Sequence, residues 1–132
     1  MTGTINKIRL NRSELAVPAS RTELFSKACK SDADIIFFDL EDSVAFSEKD
    51  KARSNAIEAI NDIDWGNKSL SVRINPFDST FIKRDLNEVL RKTYNKLDLI
   101  MLPKVNSARE VIKLEKKVNE IEKKIKKKIN LG

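Results

Sequence analysis

Four short apolar runs rich in β-branched or aromatic residues punctuate the chain: Leu15 to Val17, Ile35 to Leu40, Leu70 to Ile74 and Leu97 to Leu102. Runs of this kind between turn residues predict strands. Each leads through a polar turn into a segment whose apolar residues recur at helical spacing. The predicted helix starts carry capping signals, because a side-chain oxygen there can accept one of the free first-turn N–H groups. Ser20 with Glu23 forms a capping box for a helix from Arg21 to Lys30. Ser47 with Asp50 opens a helix through Ile60, with Ala52, Ala56, Ala59 and Ile60 on its apolar face. Asp78 or Ser79 caps a helix bearing Ile82, Leu86, Val89 and Leu90, and Ser107 with Glu110 caps the last.

Strand and helix thus alternate four times. That order predicts an α/β fold with parallel strands, because each helix carries the chain back across the sheet before the next strand begins. A barrel and a doubly wound sheet share this local pattern, and periodicity does not separate them. A full eight-unit barrel needs roughly 250 residues, so four units are about half of one. Residues 1–132 are expected to form a single domain, with Asn130-Leu131-Gly132 falling where a fifth strand would be due.

Composition narrows the chemistry. No apolar run approaches the roughly 18 residues of a membrane span, and no secretory signal opens the chain, so a cytoplasmic protein is the expectation. Cys29 is the single cysteine and has no histidine anywhere in the chain to activate it, which makes it core filling. Without histidine, a metal would be held by carboxylates, which favours Mg²⁺ or Mn²⁺.

The net charge is +6, yet residues 107–132 hold nine Lys/Arg against four Glu, +5 of that total. The basicity belongs to one helix end, and no aromatic residue interleaves it, so stacking on bases is unsupported. Val111, Leu114, Val118, Ile121, Ile125 and Ile129 recur there at spacings of three and four. That stripe is only about two and a half heptads long, too short to argue for a coiled coil, and it predicts the barrel's fourth outer helix. Pairing with another copy is the alternative use.

Two strand ends carry the candidate chemistry. Phe38-Asp39-Leu40-Glu41-Asp42-Ser43-Val44 places three carboxylates at the carboxyl end of a strand, the end at which parallel α/β folds bind ligands. Ser71-Val72-Arg73-Ile74-Asn75-Pro76 sets an arginine inside a β-branched run. At a barrel mouth its planar fork suits a carboxylate. An acidic turn and a snorkelling surface arginine are the bland alternatives. Pro18-Ala19-Ser20 and Leu102-Pro103-Lys104 end the other two strands and are weak signals alone.

Taken together, these residues resemble the HpcH/HpaI aldolase and citrate lyase beta-subunit family across nearly the whole chain. The matching stretches are Arg12-Ser13 with Leu15 and Val17-Pro18-Ala19-Ser20, Asp39-Leu40-Glu41-Asp42-Ser43-Val44 with Lys49-Asp50-Lys51-Ala52-Arg53, Val72-Arg73-Ile74-Asn75, and Leu102-Pro103-Lys104-Val105. The resemblance implies the amino-terminal half of a TIM barrel that cleaves or forms a carbon–carbon bond in a 3-hydroxyacyl thioester on CoA or an acyl carrier, as in citryl-, malyl- or citramalyl-CoA lyases. It implies Mg²⁺ as Lewis acid on the 2-oxoacid portion while charge develops on the thioester enolate. Arg73 falls on the family arginine that binds the oxoacid. Glu41 and Asp42 fall on the acidic pair beside the metal's water shell, as catalytic orienters. Arg12 falls on an early arginine near the site.

The direct metal ligands implied by the resemblance, a glutamate after the fifth strand and an aspartate after the sixth, are expected beyond residue 132. The polypeptide is therefore expected to be inactive alone. Intact relatives are expected to form homo-oligomers, and neither a membrane nor nucleic acid is an expected partner. Asp32 stands where the family usually has glycine, at a position expected to be left-handed. A rival class remains: a non-catalytic interaction or nucleic-acid-binding module using the basic carboxy-terminal helix.

Overall fold

The computed structural model describes residues 9–131, so Gly132 lies outside the described residues. Four strands, β1 (Glu14–Pro18), β2 (Ile35–Asp39), β3 (Ser69–Arg73) and β4 (Leu99–Met101), form one sheet in the order β1-β2-β3-β4. Every pairing is parallel. The helices between and after them are α1 (Phe25–Lys30), α2 (Lys49–Asp62), α3 (Ile82–Thr93) and α4 (Ala108–Ile125). The four expected β/α units are present, in the expected order.

The register explains what the alternation does. Val17, Phe38, Val72 and Ile100 lie side by side across the sheet and point to the face that the helices cover, together with Ile36, Leu40, Leu70 and Ile74. Phe38 is fully buried there, with Phe25 and Trp65 packed edge-on at centroid distances of 5.3 and 5.4 Å. Burying a side chain of this size contributes about 1.5–3 kcal/mol, so this layer anchors β2 from below. The other face carries Ala16, Phe37, Ser71 and Leu99 in one row and Pro18, Asp39, Arg73 and Met101 in the next. No helix lies over it among the described residues.

The caps differ from expectation. Short 3₁₀ turns, Thr22–Leu24 and Phe46–Glu48, precede α1 and α2, and no side chain caps any of the four helices at its N-cap residue. Glu23 takes the Arg21 guanidinium at 2.8 Å and not a backbone N–H, so the Ser20 box does not close. Ser79 Oγ accepts the Phe81 N–H at 3.3 Å, ahead of α3. At α4 the box slips by one residue, and Glu110 accepts the Asn106 N–H. A 3₁₀ turn closes its own amides by tighter i to i+3 bonds, which removes the donors that a cap would satisfy. Asp32 is not left-handed: among the described residues the positive-φ non-glycine positions are Lys104 and Lys126, and the chain leaves α1 through an extended Ser31. Cys29 is partly buried against the core, with Sγ 3.2 Å from the Asp64 carbonyl.

Candidate active site at the carboxyl ends of the strands

Asp39 ends β2 and is the register partner of Arg73, which ends β3. Neighbours across a parallel pair point the same way, so the two side chains meet. Arg73 donates to both carboxylate oxygens of Asp39, from Nε at 2.8 Å and from Nη2 at 2.7 Å. This is the planar fork on a carboxylate that the strand-borne arginine suggested, with the carboxylate supplied from inside the chain. Asp39 is 1% exposed and also accepts the N–H groups of Glu41 and Ser43 and the Ser43 hydroxyl. Burial alone would push its carboxyl up; those hydrogen bonds, first the one from Arg73, outweigh it and hold the carboxyl far below the usual range. The Arg73 guanidinium also stacks on Phe37, 5.6 Å from the ring centroid. Its Nη1 makes no hydrogen bond among the described residues and is the donor still available to a ligand.

Glu41 and Asp42 sit on the turn that Asp39 folds. Glu41 is buried and Asp42 exposed, and because the chain turns beyond the strand end both acids come within reach of one lysine. Lys104, two residues past Leu102, reaches across from β4 to both: Nζ is 3.2 Å from Glu41 Oε1 and 3.1 Å from Asp42 Oδ1. Only the Asp42 contact has the alignment of a hydrogen bond, and Glu41 Oε1 stays buried without one. Burial, then the neighbouring Asp42, raises the Glu41 carboxyl above its ordinary value, while the Lys104 ammonium opposes the rise. Hydrogen bonds with Glu41 and Lys104 lower that of Asp42. Lys104 holds a left-handed φ of 52°, an uncommon conformation for a side-chain-bearing residue, and the ion pairs with the two acids help to hold it.

Two basic side chains, Lys49 half-buried and Arg53 buried, secure this rim from behind. Lys49 Nζ, at the start of α2, donates to the Leu40 and Glu41 carbonyls at 2.9 and 2.8 Å. Arg53 of α2 pairs with Asp85 of α3 at 2.8 Å, and both side chains are 1% exposed. Asp85 in turn accepts the Asn75 N–H at 3.0 Å and its amide Nδ2 at 2.7 Å, which fixes the backbone just beyond Arg73. The open depression beside these residues measures about 530 Å³, and Glu41, Asp42, Lys49, Asn75, Phe81 and Lys104 are among its walls.

Of the expected site residues, Glu41, Asp42 and Arg73 converge on one rim and Arg12 does not. Arg12 precedes β1 and pairs with Asp34, which precedes β2, so it lies at the opposite, amino end of the strands. The Arg12 fork lowers the Asp34 carboxyl to about 2. Sequence reasoning misses Asp39 and Lys104 as site residues. The matched spacing of Asp39 and Arg73 at the ends of adjacent parallel strands is the available signal for the first. The residues present do not make a metal site: among those described, no group of three or more metal-ligating side chains could hold an ion, and Glu41 and Asp42 are shared with one lysine.

Residues 12–130 match the model of the HpcH/HpaI aldolase/citrate lyase family. The chain belongs to that family. It is 50% identical over 114 residues to an L-malyl-CoA/beta-methylmalyl-CoA lyase of Rhodobacter capsulatus, covering 86% of this chain and 36% of the relative. It is 38% identical over 119 residues to a citrate lyase subunit beta of Leuconostoc mesenteroides subsp. cremoris, covering 90% of this chain and 38% of that one. Among solved structures, a citrate lyase beta subunit of Mycobacterium tuberculosis complexed with oxaloacetate and magnesium superposes with a TM-score of 0.64 at 36% identity, over 81% of this chain and 46% of that one. A CitE structure from the same organism, with magnesium, acetoacetate and coenzyme A, gives 0.62 at 36% identity over 80% and 38%. The chain thus spans 36–38% of these curated relatives' length, while the α/β fold and the family are shared. No described helix is long and apolar enough to cross a membrane.

Proposed function

We propose that the rim of Asp39, Glu41, Asp42, Arg73 and Lys104 is one part of the active site of a carbon–carbon lyase acting on a 3-hydroxyacyl-CoA of the malyl-CoA type. The observation that carries this reading is the strand-end Asp39–Arg73 pair, locked in plane with one guanidinium nitrogen free. A pre-organised arginine of that kind is suited to the carboxylate of a 2-oxoacid, the product released when such a bond breaks. Rhodobacter capsulatus L-malyl-CoA/beta-methylmalyl-CoA lyase is the relative at 50% identity, which favours malyl over citryl substrates. In this reading Arg73 binds and orients the oxoacid end. Glu41, whose carboxyl is raised, is placed to hold or move a proton at its buried Oε1, with Asp42 and Lys104 setting its charge. Relatives solved with magnesium support a Mg²⁺-dependent family. The ligands for such an ion would have to come from residues beyond those described.

The test is a graft. The chain alone, assayed with malyl-CoA and Mg²⁺, is expected to release no 2-oxoacid and no acetyl-CoA. A chimera joining residues 12–130 to the remaining length of the Rhodobacter capsulatus enzyme is expected to cleave malyl-CoA. Arg73→Met in that chimera is expected to cut kcat/KM by about 10²–10³. Cleavage by the isolated chain, or a folded chimera indifferent to Arg73→Met, would overturn the assignment.

A further inference from the structure

The lysines of the helical layer are not evenly spread. Lys113, Lys117 and Lys124 follow one another at spacings of four and seven residues, which places them on one face of α4. With Lys83 of α3 they line a slot of about 240 Å³ between the two helices. The floor of the slot is apolar, built from Ile82, Leu86 and Ile121, all of them buried. Phe77 adds its ring, with the Lys113 ammonium 4.6 Å from the centroid. Glu120 is the acid among the walls, and Lys117 already holds it at 3.3 Å. Lys83, Lys113 and Lys124 have no ion-pair partner among the described residues.

The helix dipole, which accounts for cations at a carboxyl end, does not account for this group. Lys83 sits in the first turn of α3, where the dipole disfavours a cation, and Lys113 lies in the first half of α4, beyond reach of the terminal carbonyls. Lysine stems can cover apolar surface, yet here they leave a slot open. Like charges gathered over an apolar floor repel one another, and an anion seated among them relieves that repulsion. The volume is below the roughly 300–1,000 Å³ of a drug-sized pocket, which suits one short alkyl chain or a single ring. Ammonium groups on flexible stems, with no arginine fork beside them, select a negative charge and not a planar geometry.

We propose that the slot between α3 and α4 binds a single-chain anionic amphiphile, its alkyl chain on Ile82, Leu86 and Ile121 and its acidic head among Lys83, Lys113 and Lys124. The slot shares no wall residue with the depression beside the strand-end rim. The inference is therefore independent of the lyase reading, and a binding measurement can fail while that reading stands.

The test titrates the isotope-labelled 132-residue chain with octanoate and follows its backbone amide resonances. Saturable shifts are expected at Leu86, Asn87, Lys117 and Ile121, with Phe37 and Leu99 on the open sheet face unmoved. Hexanoate is expected to bind up to about 15-fold more weakly, because each buried methylene is worth about fourfold. Octanol, with the same chain length and no charge, is expected to bind at least about fivefold more weakly than octanoate at low salt. Lys113→Glu combined with Lys124→Glu is expected to weaken octanoate about tenfold and to leave octanol within about twofold. The same shifts are expected in the chimera with the remaining length of the Rhodobacter capsulatus enzyme. Equal affinity for octanoate and octanol would overturn the proposal, as would octanoate shifts on the open sheet face or a charge-reversed variant that binds octanoate like the parent. Loss of the shifts in the chimera would overturn it too, since other residues would then cover the slot. Sedimentation with phosphatidylglycerol vesicles in the absence of octanoate binding would replace it with a membrane-facing surface.

Discussion

Asp39 and Glu41 stand two residues apart and respond to pH in opposite directions, which makes the rim testable one side chain at a time. The folded state holds Asp39 well below the ordinary aspartate value of about 3.9. Its contribution is therefore fully present above that value and is lost as pH falls toward the folded one. Glu41 is raised in the folded state, so the folded chain binds its proton more tightly and stability is lost as pH rises from about 4.3 through the raised value. Urea midpoints measured across this range are expected to show both limbs. Glu41→Gln should remove the second and increase the midpoint at neutral pH. Asp39→Asn should flatten the acid limb and cost about 3 kcal/mol at neutral pH, since Arg73 loses a buried partner. A lower neutral-pH midpoint in Glu41→Gln would show that the buried carboxylate is satisfied after all. The same residues show what a sequence discloses at this scale. Glu41, Asp42 and Arg73 were legible because they end apolar runs. Asp39 was visible as one of three carboxylates, but its pairing was hidden because the partner, Arg73, lies 34 positions away in the register. Arg12 misled because resemblance says nothing of polarity: a residue just before a strand sits at the end of the sheet opposite a residue just after one.

At the scale of elements, the helices owe their starts to tertiary anchors. The alternation of apolar runs disclosed all four strands to within a residue or two, because the core face must be apolar whatever covers it. Capping signals failed where short 3₁₀ turns precede the helices and close their own amides. Arg53 is the clearest case. In the sequence it interrupts the apolar face of α2, yet it is 1% exposed and joins α2 to Asp85 of α3. Asp50 and Glu88 add weaker partners at 2.9 and 3.6 Å, while Nη2 is buried with none. Burial disfavours the charged guanidinium, and the Asp85 and Asp50 hydrogen bonds more than offset it. Removing one member leaves a charge stranded in the core, so Asp85→Ala is expected to cost about 3–5 kcal/mol. The Arg53→Met/Asp85→Ala double variant should cost at least about 1 kcal/mol less than the sum of the single changes. Chemical denaturation of the four proteins measures the coupling. Strict additivity would mean that α2 and α3 are held by their apolar faces alone, and that Asn75 is positioned by its backbone without the ion pair.

Over the whole molecule, the parallel order was legible because a helix between every two strands leaves few other topologies, whereas barrel closure was not. Closure depends on strands that the described residues do not supply. Charge is the other global property, and it separates an enzyme part from a nucleic-acid module. Eighteen residues of α4 and the segment after it carry nearly all of the +6. Lys126, Lys127 and Lys128 follow the helix as exposed side chains, a basic cluster next to the carbonyl end of α4. Lysines there complement the partial negative charge of the helix terminus, which is reason enough for their presence. They also attract any polyanion at low salt, because binding releases condensed counterions. Gel retardation of duplex DNA is expected at low ionic strength and should vanish by about 0.15 M salt, where charges beyond about 8 Å are screened. Lys126→Ala, Lys127→Ala and Lys128→Ala together should reduce the salt slope by up to about 3, one for each phosphate no longer neutralised. Retardation that persists at physiological salt, or that prefers one sequence, would revive the binding-module alternative, since an electrostatic footprint without interleaved aromatics or base-edge donors has no means to produce it.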